Sequence, residues 1–380
     1  MPTPYRSCWA TDEHELFRAT VRDFAAKELL PHEERFIDQG HIDRDVWTKA
    51  GAAGLLGCDI PEEHGGLGGD FGHECVVYEE IWRTGFSGFG KAVHEIAGRY
   101  VLDYATDEQR ADWLPRMVTG ELVGAIAMSE PGAGSDLRGI ATSAVRDGDD
   151  FIVNGSKTFI TNGLLANLVM TVVRTDPDAG SKGYTLLMIE TDGLEGFRRG
   201  SLLKKIGQKA QDTCELFFED CRVPASVSLG DGQGLYQLMA SLAYERTIVA
   251  IKSIAAIECA VRETLAHTKA REAFGKRLFD LQNTRFKLAE AQTAATIGRV
   301  FTDHCVQRVI DGTLDAETAA MAKWWLTEQQ CRVVDECLQL HGGYGYMLEY
   351  PIARLYADAR VQPIYAGANE VMKELIARSL

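Results

Sequence analysis

Apolar and polar residues alternate along this chain with two different periods, and the period changes twice. From Thr11-Asp12-Glu13, a helix-start pattern, apolar positions recur every three to four residues as far as Leu30, where Pro31 is expected to end the run. The same spacing predicts further helices at about 43–54, 72–84, 91–105 and 107–119, separated by glycine clusters such as HGGLGGD. After Gly120 the runs shorten. LVGAIAM, FIVNG, KTFI, MTVVRT, YTLLMIE and ELFFEDCRV have strand length and are bounded by Asn-Gly, Asp-Gly or Pro. GDGQG (230–234) then reads as a linker, and helical spacing returns. Leu235 to Phe274 contains neither glycine nor proline, which is long for one globular helix, so a break is expected just ahead of Glu245. Two more long helices follow near 281–310 and 315–340, the second stopped by Gly342-Gly343, with short helices starting near Pro351 and Asn369. The pattern therefore predicts an α+β chain. It has an N-terminal helical domain (1–122), a mostly antiparallel middle β domain (123–231) and a C-terminal helical bundle (232–380).

Composition narrows the function classes. A chain of 380 residues with 46% hydrophobic and 25% charged residues has material for two or three domains. Its 55 acidic and 40 basic residues leave a net charge of −15, which argues against nucleic acid as a partner. No apolar run approaches the roughly 18 residues of a membrane span. The start MPTPYRSCWATDEHELFRATVRDF has no apolar core, and its Asp12, Glu13 and Glu15 are unlike a transit peptide; a cytoplasmic protein is expected. Nine scattered cysteines without a CxxC pair read as reduced thiols, and nine histidines without an HExxH pattern give no metal site.

Candidate chemistry centres on SLAYERTIVAIK (241–252). On a helix, Glu245 shares its face with Leu238, Ser241, Leu242, Ile248 and Val249, while Arg246 projects elsewhere. A carboxylate on such a stripe is exposed, paired or used. Four other segments stand out, each with a plain structural explanation beside the functional one. AMSEPGAGSDL (127–137) leaves a strand into a glycine-rich turn whose N–H groups could surround an anionic group or simply form a hairpin. It is no dinucleotide fingerprint, because Leu137 replaces the third glycine and strands follow instead of a helix. KTFITNG (157–163) fits sheet packing as well as ligand contact. LQLHGGYGY (338–346) fits helix capping, and AREAFGK (270–276) a solvated helix end.

Together and in order, EPGAGSD, GSKTFITNG, REAFGKRL, QLHGGYGY and EYPIARLYADARVQPIY resemble the acyl-CoA dehydrogenases. KAQDTCELFFEDCRVPAS and ANEVMKELIAR are similar to the long-chain branch. The resemblance covers almost the whole chain. It implies an N-terminal helical domain, a β domain and a C-terminal four-helix bundle, assembled as a homotetramer (a homodimer being the smaller alternative) with one FAD per subunit. It also implies removal of two hydrogens from Cα and Cβ of an acyl-CoA thioester to give the trans-2-enoyl-CoA, with electrons passed to an electron-transfer flavoprotein. An acyl-CoA oxidase, another flavin enzyme acting on a CoA ester, and a non-catalytic CoA- or flavin-binding homologue are the rival readings.

The resemblance is carried over residue by residue. Many members hold the catalytic glutamate where this chain has Ala366, in PIYAGANE, whereas the long-chain and isovaleryl branches hold it in a segment matching AYER. That implies Glu245 as the base, with Glu370 the nearby alternative. For FAD the matching positions are Ile126, Ala127, Met128, Ser129, Glu130, Pro131, Gly132, Ala133, Gly134 and Ser135, then Phe159, Ile160 and Thr161. Arg271, Gln282, Gln339, Leu340, His341, Gly342 and Gly343 match contacts made by a neighbouring subunit, and Ala368, Asn369 and Glu370 complete the set. For the acyl-CoA they are Ser135, Ser181, Lys182, Tyr236, Ala243, Tyr244, Glu245, Arg246, Ala366 and Gly367. Three glycines in TGFSGFGKAVH (84–94), in the region of the family's acyl pocket, leave room for a medium, long or branched acyl group.

Overall fold

The computed structural model describes residues 5–230 and 232–380. Helices α1 (Asp12–Phe24), α2 (Glu33–Gln39), α3 (Asp45–Ala52), α4 (Phe71–Trp82), α5 (Lys91–Tyr104) and α6 (Asp107–Val118) precede the sheet. Their starts follow local chemistry. Thr11, Asp70 and Thr106 accept from the N–H three residues on, and the third residue of each helix (His14, His73, Gln109) reaches back to the cap. Pro31 does not end the first run. The backbone passes through a π turn at Ala25–Leu29 and a 3-10 turn at Leu30–His32 into α2. Pro31 lies at the start of that 3-10 turn, where no N–H is required of it.

The middle of the chain is an eight-stranded sheet in the order β6-β7-β3-β2-β4-β5-β8, with β1 paired to β4. The strands are β1 (Gly124–Ala127), β2 (Ser143–Asp147), β3 (Asp150–Thr161), β4 (Leu168–Arg174), β5 (Tyr184–Glu190), β6 (Phe197–Leu202), β7 (Thr213–Pro224) and β8 (Ser228–Leu229). Pairings are antiparallel except β1 with β4, in register Ala125 to Val169, and a single β2–β4 contact. FIVNG and KTFI, separate runs in the sequence, are one strand, β3. It is bulged between Val153 and Gly155 and again between Lys157 and Ile160.

The break expected ahead of Glu245 is absent. One helix, α7, runs Gly234–Ala270 for 37 residues without interruption. It starts at Gly234, the last residue of the expected linker; Asp231 of that linker lies outside the described residues. Length alone made a break reasonable, but burial supports the helix. Ile248, Val249, Ile251, Ile254 and Ile257 are buried between the N-terminal helices and the rest of the bundle. A short hairpin (β9 Glu272–Ala273, β10 Lys276–Arg277) leads to α8 (Gln282–Ile310), α9 (Ala316–His341), α10 (Pro351–Ala359) and α11 (Asn369–Arg378). Gly342 closes α9 at φ 59°, a value favouring glycine, and a 3-10 turn continues to Tyr346. No described helix is long and apolar enough to cross a membrane.

Candidate functional site

Glu245 is buried on α7, and the hydroxyl of Tyr100 on α5 donates to its Oε1 at 2.8 Å. No Lys, Arg or His nitrogen lies within 4.0 Å of it among the described residues. Arg246, next in sequence, lowers the Glu245 pKa only at a distance. Burial is the larger effect and pushes the Glu245 carboxyl up to about 7, partly opposed by the Tyr100 hydrogen bond and by Arg246. Of the readings open to a carboxylate on an apolar stripe, exposure and salt bridging are therefore excluded. Glu370, the alternative, is exposed at the first turn of α11.

Arg246 is itself buried, with Nε unpartnered among the described residues and its pKa lowered by desolvation, so a guanidinium without a carboxylate within ion-pair distance follows Glu245 in the chain. Tyr244 turns the other way. Its ring packs on Phe71 at 4.9 Å and its hydroxyl donates to Asp59 Oδ2 at 3.2 Å, a carboxyl that burial raises to about 6. Ala243 is half-buried, while Tyr236, on the first turn of α7, is 70% exposed. Ala366 and Gly367 form a turn with φ 51° and 87°. No acceptor meets the Ala366 N–H among the described residues. Two lysines that sequence reasoning passed over hold this turn. Buried Lys323 donates to Gly367 O at 2.7 Å and Asn369 Oδ1 at 2.9 Å, and Lys252 Nζ meets the Tyr365 hydroxyl at 3.0 Å. Ser181 and Lys182 lie on an exposed 3-10 turn between β4 and β5 that approaches α7.

The segment from Ile126 to Ser135 leaves β1 into an exposed turn closed by a Glu130–Ala133 bridge. A Cβ built at Gly132 or Gly134 meets no atom within 4 Å, so the backbone of this turn is open to a ligand. Within it, Ala127 and Ala133 are buried, Met128 and Ser129 half-buried, and Pro131 and Ser135 exposed. The Glu130 side chain is committed inward, accepting from Ala141 N, Thr142 N and Lys157 Nζ, so only its backbone faces the turn. The second bulge of β3 sets Phe159 at φ 60° with its ring 70% exposed, while Ile160 packs inside and Thr161 is half-buried. Sheet packing therefore does not account for Phe159.

A cleft of about 590 Å³ is lined by Arg271, Gln339, Leu340, His341, Gly342 and Gly343, together with His267 and Tyr344. Gln282 lies nearby at the start of α8, exposed. His267 stacks on His341 at 4.3 Å, and its buried Nε2 has no partner among the described residues. Gly342 and Gly343 present open space where a Cβ would stand. Helix capping explains Gly342 alone and leaves Arg271 and the orphaned imidazole nitrogen of His267 to be accounted for; burial holds both histidines below their ordinary pKa, so Arg271 is the one arginine or lysine lining the cleft among the described residues. Asn369, by contrast, has its amide oxygen taken by Lys323, and Ala368 caps α11.

One cluster was invisible to spacing rules. His14, Asp70 and His73 gather their polar atoms within 4.8 Å. Both Nδ1 atoms meet the N-cap N–H groups of α1 and α4, and Asp70 Oδ1 accepts from Gly72 N, so the cluster is accounted for by capping.

Residues 11–121, 125–221 and 232–380 match the acyl-CoA dehydrogenase N-terminal, middle and C-terminal domains respectively. The chain belongs to the acyl-CoA dehydrogenase family. It is similar to the long-chain specific acyl-CoA dehydrogenase of Mus musculus, at 48% identity over 97% of this chain and 87% of that one. An acyl-CoA dehydrogenase structure from Geobacillus kaustophilus superposes with a TM-score of 0.96 at 47% identity, covering 98% and 99% of the two chains. A glutaryl-CoA dehydrogenase from Mycobacterium smegmatis, solved in complex with FADH2, gives 0.91 at 27% identity over 97% of this chain and 95% of that one. Like other acyl-CoA dehydrogenases, this is a FAD-dependent oxidoreductase.

Proposed function

We propose that this acyl-CoA dehydrogenase converts a medium-, long- or branched-chain acyl-CoA to the trans-2-enoyl-CoA, with Glu245 as the base and an electron-transfer flavoprotein as acceptor of the electrons. The observation that carries it is a buried carboxyl with pKa about 7, close to the ideal for a general base at neutral pH, with no cation within 4.0 Å among the described residues. Its free Oε2 removes the proton from Cα. The charge that develops on the thioester oxygen is met by the Ala366 N–H, a backbone donor that needs no particular side chain. Arg246 and exposed Tyr236 hold the CoA portion towards the open end of α7.

The open turn at 132–135 and the exposed Phe159 ring fit the flavin, and the cleft at Arg271 and Gly342–Gly343 fits the phosphate-bearing part of FAD from an adjacent subunit of a homotetramer. FAD, when bound, supplies the acceptor for the hydride lost from Cβ. The exposed apolar side chains Phe274, Phe286, Ile297 and Val300, which gather on the hairpin and α8, support a subunit contact there. The deciding experiment is anaerobic mixing of the FAD-loaded protein with a panel of acyl-CoAs of varied length and branching. Bleaching of the flavin is expected in the wild type and a loss of several orders of magnitude in Glu245→Gln. Unchanged bleaching in the variant would move the base elsewhere.

A further inference from the structure

Tyr100 comes from the N-terminal helices, 145 residues away from Glu245 in sequence, and nothing in the spacing of either segment links the two. On α5, His94, Ala97, Tyr100 and Val101 form one buried face, and Tyr100 is 1% exposed. Its hydroxyl proton has one carboxylate to go to, Oε1 of Glu245.

We infer that Tyr100 is a positioning residue for the base: it pins Oε1 of Glu245, directs Oε2 at the substrate and keeps the carboxylate ionised in an otherwise apolar wall. The inference rests on Glu245 being the base.

The geometry allows little else. A carboxylate pulled from water keeps its charge only if hydrogen bonds replace the lost hydration. Among the described residues Glu245 has one such bond. The charged and titratable groups facing it are Tyr100 and, beyond it, Tyr104 from α5, and Arg246 from α7 itself; of these only Tyr100 touches the carboxylate. Burial and the adjacent carboxylate hold the Tyr100 hydroxyl well above its ordinary range, so it stays a neutral donor at every pH where the enzyme works. Ser241, one turn before Glu245 on the same face of α7, pulls the Tyr100 hydroxyl down a little against the larger upward push of burial and of Glu245. One hydrogen bond to Oε1 leaves both torsional freedom and basicity at Oε2 controlled. It also remains available after Oε2 has taken the Cα proton, when Oε1 becomes the carbonyl oxygen of the neutral acid.

The test is Tyr100→Phe, which keeps the ring and removes only the hydroxyl. Two readouts are followed against pH: anaerobic flavin bleaching by palmitoyl-CoA, and the infrared carbonyl band of protonated Glu245 in the substrate-free protein, identified by its loss in Glu245→Gln. The expected result is an upward move of about one pH unit in both midpoints. Bleaching should fall about five- to tenfold at pH 6.5 and return to within about threefold of wild type at pH 9. A mere packing role predicts an unmoved infrared midpoint, or an equal loss at all pH values, and either result overturns the inference. If Glu245→Gln bleaches like the wild type, the base is wrong and the proposed function falls with it. If Glu245→Gln is inert while Tyr100→Phe titrates like the wild type, only the role of Tyr100 falls.

Discussion

Lys157 Nζ lies 2.8 Å from Glu130 Oε1, both side chains being shut away from solvent on the inner side of the turn that leaves β1. The ammonium also donates to Val172 O at 2.7 Å, and the carboxylate accepts from Ala141 N and Thr142 N. The pair thus ties β1, β3 and β4 beneath the glycine-rich turn and holds that turn open. Desolvation still wins at the lysine, pulling it down to about 8 despite its partner. Lys157→Met should leave Glu130 buried without its counter-charge and cost about 3–5 kcal/mol. Urea unfolding of the two proteins measures this.

The raised pKa of Glu245 makes opposite predictions for activity and stability. As a base it must be ionised, so kcat/KM should rise with pH through about 7. For stability the folded state binds the proton more tightly than the unfolded chain. Stability therefore falls as pH climbs from the ordinary glutamate value, about 4.3, towards 7. Glu245→Gln, which cannot ionise, should be more stable than wild type at pH 8, by on the order of 3 kcal/mol at most, and the gap should close near pH 4.5. Thermal melts across pH check it. A gap that widens towards acid would contradict the burial of this carboxyl.

Glu79 on α4 is enclosed by three guanidiniums: Arg18 Nη1 on α1 at 2.7 Å, Arg83 at 3.4 Å, and Arg299 on α8. Together they hold its carboxyl down at about 2 and stitch the first helices to the C-terminal bundle. Glu79→Gln leaves buried guanidiniums without this counter-charge and should destabilise the protein by about 3–5 kcal/mol. Differential scanning calorimetry reads the loss.

If the cleft beside α9 takes the phosphates of FAD, filling it should empty the protein of flavin without unfolding it. Gly343 is suited to this, because a Cβ there meets nothing within 4 Å. Gly343→Leu should melt like the wild-type apoprotein and retain less than about a tenth of the flavin absorbance after reconstitution.

Ala366 occupies a left-handed conformation that costs an alanine roughly 1–2 kcal/mol, and the proposed chemistry uses only its N–H. Ala366→Gly should keep turnover within about twofold and leave stability level or slightly higher, the relieved strain being partly offset by glycine's entropy. Steady-state kinetics with a melt would settle it; a large loss of turnover would mean the alanine methyl itself matters.

Much of this protein is local. Thr11, Asp70 and Thr106 announce their helices, alternating apolar runs bounded by turn residues announce the strands, and spaced motifs announce the acyl-CoA dehydrogenase family. These are short-range signals, set by backbone capping, side-chain periodicity and the conformations that glycine and proline permit. Three things depended on packing at long range. The 37-residue helix α7 persists because neighbours on both sides bury it. Glu130, which belongs to the glycine-rich EPGAGSD segment, turns inward because Lys157 lies across the sheet. Glu245 acquires its basicity from apolar burial, tempered by the hydrogen bond from Tyr100, 145 residues earlier in the chain. A sequence specifies which groups can ionise or donate; how strongly they do so is decided by the dielectric and the partners that only the folded chain brings within a few ångströms.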